Sequence, residues 1–110
     1  PPLPFVPGAE LAGTVVEAGE GVSHLRAGDR VLALCWLGAF AQEAVVDARL
    51  VLPLHPAIDL AAAAALPMTY GTAYHALLDR ARLQAGETLL VLGAGVGVGL
   101  AGVELGKRLG

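Results

Sequence analysis

Between residues 11 and 54 the apolar residues come in short bursts separated by turn formers. Leu11 to Ala18 is rich in β-branched and small residues and partly alternating, and Gly19-Glu20-Gly21 interrupts it. Gly28-Asp29 is a turn signal that feeds Arg30 to Leu34; Phe40 to Val46 and Arg49 to Leu52 continue the series until Pro53 and Pro56 end it. Runs this short, bounded by glycine and proline, predict strands of a small barrel or sandwich. The period changes after His55-Pro56. Asp59 is a candidate N-cap for the alanine run Ala61 to Ala65, because its carboxylate can accept a free first-turn amide and alanine is the strongest helix former. Pro67 interrupts, and Thr69 to Leu83 resumes with apolar residues at helical spacing, closing on Ala85-Gly86. Thr88 to Leu92 is a run of strand length that reads as buried on both faces of a parallel sheet. The glycine cluster Gly93 to Gly99 follows, and Leu100 to Leu109 predicts a further helix. The order is β-rich, then helical, then the start of a βα unit.

The composition is apolar: 55% hydrophobic and 15% charged over 110 residues, with mean hydropathy +0.65, against about a quarter charged in an ordinary soluble domain. No window reaches the about 18 uninterrupted apolar residues of a membrane span. The apolar bias instead predicts a segment from the buried middle of a larger fold. The ends agree with that expectation, since Pro1-Pro2-Leu3-Pro4 carries no initiator or signal-like pattern and Gly110 follows directly on a helical pattern. A net charge of −3 and a pI near 5.5 offer no basic face to displace phosphate counterions, so a nucleic-acid partner is not expected. One cysteine, Cys35, can build neither an intramolecular disulfide nor a thiolate cluster, and a reducing, cytoplasmic setting is expected.

The chemistry is carried by the glycines. A buried strand, a glycine-rich turn and a helix together hold a pyrophosphate: glycine lets the backbone turn sharply and approach the phosphates, and the unpaired amides of the helix face the negative charge. Gly93 to Gly99 stands in that place. The frame Gly97, Gly99, Gly102 also satisfies the dinucleotide spacing but starts well into the predicted helix; a glycine-rich helix-packing segment is the non-ligand alternative. A Walker loop fails, because Arg108 follows Gly106-Lys107 and Ala101 occupies the first glycine position.

Taken in order, Pro7-Gly8-Ala9-Glu10, Gly13, Gly28-Asp29-Arg30-Val31, Gly38-Ala39-Phe40-Ala41, Thr72-Ala73, Gly86-Glu87, Leu90-Val91 and the glycine loop resemble the landmarks of the medium-chain dehydrogenases/reductases. The resemblance covers essentially the whole chain. It implies an α/β fragment: the C-terminal part of a GroES-like β-rich catalytic domain, residues 1–57, followed by linking helices and the first βα unit of a Rossmann NAD(P)-binding domain, residues 58–110. Zinc alcohol dehydrogenases of this family carry a histidine ligand where Ala9 stands, a cysteine ligand near Ala64-Ala65-Leu66-Pro67, and a four-cysteine lobe where Leu34-Cys35-Trp36 has no further cysteine. Those positions lack ligand atoms, so the chain resembles the zinc-free quinone oxidoreductases (zeta-crystallin-like). The resemblance implies NADPH as cofactor, with NADH open, no metal, and hydride transfer to a quinone or enone. The enoyl reductases, free-standing or within polyketide and fatty-acid synthases, and a catalytically inactive binding relative are the alternatives. It also implies a homodimer when full length, while the segment by itself is expected to bind no cofactor.

Residue by residue, Gly97, Val98 and Gly99 match the end of the family's Gly-Gly-Val-Gly phosphate turn, and Gly95 and Val96 line it. Val96 stands where the family has glycine, so its side chain is expected to crowd the phosphate or force an awkward backbone angle and weaken cofactor binding. Thr72 matches a family threonine near the nicotinamide end; the alternative is a helix threonine bonding back to its own turn. Tyr70 and Tyr74 could offer phenols to the substrate but are read first as packed aromatics. His24, His55 and His75 are scattered with no metal-ligand spacing, and His75 could reach a cleft. Glu10 is read as structural, Cys35 as a buried small hydrophobe, Trp36 and Phe40 as wall or core, and Gly8, Gly13 and Gly28 as turns or close approaches. No catalytic acid, base or nucleophile stands out.

Overall fold

A computed structural model describes residues 1–110, which divide into two compact units, Pro1–Pro67 and Met68–Gly110. The first unit is built on a three-stranded antiparallel sheet in the order β1-β2-β3, with β1 at Glu10–Thr14, β2 at Arg30–Leu34 and β3 at Val51–Pro53. Glu10 stands opposite Leu34, and Ala33 opposite both Leu11 and Val51. Successive strand residues point to opposite faces, and the central strand shows it: Val31 and Ala33 are buried while Leu32 and Leu34 are half-buried. Pro53 stands in an edge strand, the place in a sheet that tolerates a missing N–H.

The Asp29 side chain tightens the turn before β2 by accepting the Arg26 amide at 2.9 Å. Helix α1, Leu60–Ala64, starts as the sequence predicts: the Asp59 carboxylate accepts the Ala62 amide at 2.9 Å. It lies on β1 and β2, and Ala63 is fully buried. Arg30 fixes the approach to α1, its guanidinium donating to the carbonyls of Pro56 and, at 2.7 Å, Ile58.

Three strand expectations need correction. The strand predicted for Leu11 to Ala18 ends at Thr14. Phe40 to Val46 forms bends and irregular chain outside the sheet, with Val45 wholly exposed. Apolar residues do not make a strand without a ladder to join. Arg49 to Leu52 is shared between a 3-10 turn, Ala48–Leu50, and β3. Asp47 caps that turn, accepting the Arg49 amide at 2.9 Å and pairing with its guanidinium at 2.5 Å. The strands thus make one sheet of three, not a closed barrel or a sandwich.

Helix α2 runs over Leu66–Tyr74, so the chain passes from the first unit to the second within its first turn. Pro67 lies in its first turn, where no amide is needed, so this proline opens the helix as well as separating it from α1. The helix predicted to Leu83 changes winding at His75: His75–Arg80 is a π-helical turn, with Ala81 N–H bonded to the Ala76 carbonyl at 2.9 Å. The chain leaves it through Arg82 at φ 55. Helix α3 covers Gly97–Leu109, three residues earlier than the Leu100 start expected, with Lys107 and Arg108 in its last turn beside the negative end of the dipole.

Thr88 to Val91 has no regular secondary structure and belongs to no sheet, and Leu92 already opens the glycine turn. Leu89 and Val91 lie against α3, where Cβ atoms added at Gly106 and Gly102 would come within 2.7 and 3.9 Å of them. Leu90 and Leu92 face away and are 80% and 86% exposed. The expected burial on both faces is absent because no residue of this unit supplies a neighbouring strand.

Candidate functional site

The glycine turn enters α3 through Val96, whose backbone is extended at φ −149 and ψ 162 and whose side chain makes no capping bond. That conformation suits a β-branched residue, so the expected backbone strain at Val96 does not exist. Its side chain, 79% exposed, leaves only crowding of a ligand as a possible cost. The left-handed angle falls on the next residue, Gly97, at φ 56, where a side chain would be strained. Gly99 is held for a different reason. A Cβ there would lie 2.2 Å from the Gly93 carbonyl oxygen and 2.8 Å from its carbon, so only glycine lets the head of the helix close on the turn.

Leu100 makes a long first bond to the Val96 carbonyl, 3.4 Å, and the amides of Gly97, Val98 and Gly99 precede it at the positive end of the dipole. No acidic side chain occupies that first turn. Gly95, Val96, Gly97 and Val98 are exposed and Gly99 is half-buried. The five glycine-loop candidates are therefore contiguous, with unpaired donors and a positive end open to an anion. Helix α3 begins at Gly97, which places Gly97 and Gly99 at its head and Gly102 along its body, against Val91. Gly102 is thus a packing position.

Thr72 is exposed on α2, and its hydroxyl makes no hydrogen bond in the chain, so the bond back to its own turn is not made. Tyr70 is not a free phenol: its hydroxyl donates to the Glu104 carboxylate on α3. That bond, with the added effects of burial and charge, raises the Tyr70 pKa above its ordinary value, partly opposed by Arg108. Tyr74 is about half exposed. The Tyr70 partner was missed in the sequence; its trace is Glu104 itself, a lone carboxylate midway along a helix of small and apolar residues.

The histidines sit apart. His24 Nε2 lies 3.2 Å from the Ala48 carbonyl, His55 Nδ1 accepts the Ala57 amide at 3.2 Å, and His75 pairs with Asp79 at 2.8 Å within the π-helical turn. No three His, Cys, Asp or Glu side chains come together.

In the first unit a hollow of about 740 Å³ has mainly aliphatic walls that include Leu11, Leu25, Val31 and Val46. Cys35 is half-buried, with Sγ 3.6 Å from the Gly8 carbonyl. Trp36 and Phe40, read as wall or core, are 93% and 74% exposed; their loop carries no second layer to cover them. Gly8 is a close approach, where a Cβ would fall 2.6 Å from Phe40 Cδ1. Gly13 is not: it lies in β1 opposite Val31 with open space above it.

The sequence profile of the alcohol dehydrogenase GroES-like domain matches residues 1–56. The chain belongs to that family. Within the medium-chain dehydrogenases/reductases it is of the quinone oxidoreductase type. A quinone oxidoreductase-like protein 2 homolog from Nematostella vectensis is 45% identical over 110 residues, covering 99% of this chain and 30% of the relative. The quinone oxidoreductase of Escherichia coli, solved complexed with NADPH, is 37% identical with a TM-score of 0.87, over 100% of this chain and 35% of that one. The CurK enoyl reductase is 31% identical with a TM-score of 0.89, over 96% of this chain and 32% of that one. The chain spans about a third of the length of these relatives. No helix is long and apolar enough to cross a membrane.

Proposed function

We propose that this chain is part of an NAD(P)H-dependent oxidoreductase that transfers hydride to a quinone or another conjugated carbonyl without a metal. The observation that carries this reading is the head of α3, where unpaired amides of Gly97, Val98 and Gly99 stand at an uncompensated positive helix end. Closing on Gly93 gives that turn the shape of a cradle for a pyrophosphate. Gly95 and Val96 line its mouth. The Thr72 hydroxyl, unpartnered and exposed, is available to the nicotinamide end. The cofactor supplies the hydride; the residues here bind and orient it.

NADPH is the preferred cofactor, supported by the relative solved with it, and NADH shares the pyrophosphate that the turn would hold. Metal-free chemistry is supported by Ala9 and by the cysteine-free stretch from Trp36 onward, which leave no ligand atoms where zinc-dependent family members have them. In this reading residues 1–57 belong to the catalytic module and residues 58–110 to linking helices and the first βα unit of a Rossmann module. The full-length protein is a cytoplasmic homodimer acting on a small electrophile, with neither nucleic acid nor membrane as partner.

The likeness to an enoyl reductase favours a second reading, reduction of a 2-enoyl thioester. NADPH oxidation by the full-length protein separates the two. Faster turnover of a benzoquinone than of a 2-enoyl thioester is expected; the reverse order favours the enoyl reductase. A folded protein that turns over neither contradicts both and leaves a binding role.

A further inference from the structure

The hydrogen bond from Tyr70 on α2 to Glu104 on α3 has a place in the site. Glu104 stands seven residues after Gly97, two helical turns, and so on the stripe of α3 that Gly97 heads. Thr72 stands two residues after Tyr70, about 200° around α2. When the phenol faces α3, the Thr72 hydroxyl is directed to another side, and it is exposed without a partner there. We infer that Tyr70 and Glu104 form a positioning pair that fixes the helix carrying Thr72 against the helix carrying the phosphate turn, so that both ends of a dinucleotide meet preset groups. The inference rests on the cofactor reading above.

The chemistry of the pair suits a fixed link. Glu104 raises the phenol above its ordinary value, which keeps Tyr70 a protonated donor through neutral pH. Arg108, one turn further along α3, is the other charged group acting on the phenol. Neither side chain is buried enough to be a core element: Glu104 is exposed and Tyr70 half-buried. Removing the bond should therefore loosen the register of two helices more than it unfolds them.

The test uses the full-length protein. NADPH dissociation constants and Michaelis constants are measured for the parent, Tyr70→Phe, Glu104→Leu, Glu104→Gln and the Tyr70→Phe/Glu104→Leu double variant, alongside melting temperatures. Tyr70→Phe and Glu104→Leu are each expected to weaken NADPH binding about fivefold, the loss of one net hydrogen bond. The double variant should be no weaker than either, and Glu104→Gln, which keeps an acceptor oxygen, should return affinity to within about twofold of the parent. Melting temperatures should move by less than about 2 °C. Unchanged NADPH affinity in Tyr70→Phe, or losses that add in the double variant, overturns the pair while leaving the cofactor reading intact. A parent protein that binds no NADPH overturns both.

Discussion

The sheet of the first unit and the run Thr88 to Leu92 of the second use similar aliphatic residues under different circumstances. In β2, Val31 and Ala33 have strand neighbours on both sides and are 6% and 1% exposed. In the run Thr88 to Leu92 one set of side chains rests on α3, and Leu90 and Leu92 are left open, with no ladder bonds. An apolar period states which faces a segment is suited to bury. Whether a strand forms depends on a partner backbone, which composition alone does not supply.

The glycines draw the same contrast. Gly13 in β1 has open space above it, whereas Gly99 faces a backbone carbonyl at 2.2 Å from its missing Cβ. The largest expected effect follows: Gly99→Ala forces the α3 head off the turn, destabilising the protein by about 3 kcal/mol and abolishing NADPH binding in the full-length protein. Gly13→Ala changes stability by less than about 0.5 kcal/mol. Denaturant melts and calorimetry compare the two, and equal effects would erase the distinction.

In the 110-residue chain, Val31→Ala should cost about 2 kcal/mol, from two buried carbons and the cavity they leave. Leu90→Ala should cost less than about 0.5 kcal/mol. A Leu90 effect as large as that of Val31 would mean that the second unit buries its open face. A smaller effect concerns Val96. With no backbone strain to relieve, Val96→Gly in the full-length protein should tighten NADPH binding only by removing side-chain bulk, about two- to fivefold. No change in affinity would show that the side chain does not crowd the phosphate.

The smallest effect is a titration in the first unit. Hydrogen bonds from the Arg49 side chain and then its backbone amide hold the Asp47 pKa at about 2, below the ordinary 3.8. A carboxylate lowered on folding adds stability that is present above its unfolded pKa and lost as pH falls through its folded one. The 3-10 turn should therefore stay capped until pH falls from about 3.8 towards about 2. Arg49→Ala should move the midpoint back towards 3.8 in a carboxyl NMR titration, and an unmoved midpoint would remove Arg49 as the cause.

Much of this was legible in the chain. The Asp59 cap, β2 and the helix after the glycine loop follow from local chemistry: a carboxylate before alanines, a turn before a short apolar run, glycines before an amphipathic stretch. What local pattern could not provide were facts about neighbours. Phe40 to Val46 has apolar residues but no ladder to join, Trp36 and Phe40 stay uncovered, and the helix after Tyr74 shifts to π winding with no proline or glycine to announce it. In the site, the glycine loop was legible and its register was not. The φ of Gly97 and the contact between Gly99 and Gly93 fix it. Tyr70 was visible only as an aromatic, because its partner lies 34 residues away.

The central claim is that the amides at the head of α3 receive the cofactor's phosphates. Amide chemical shifts of the isotope-labelled full-length protein, followed during NADPH addition, test it directly. The account predicts that Gly97, Val98 and Gly99 move most and that Leu11, Gly13 and Val31 stay in place. Saturable NADPH binding that leaves those three amides unmoved would contradict it.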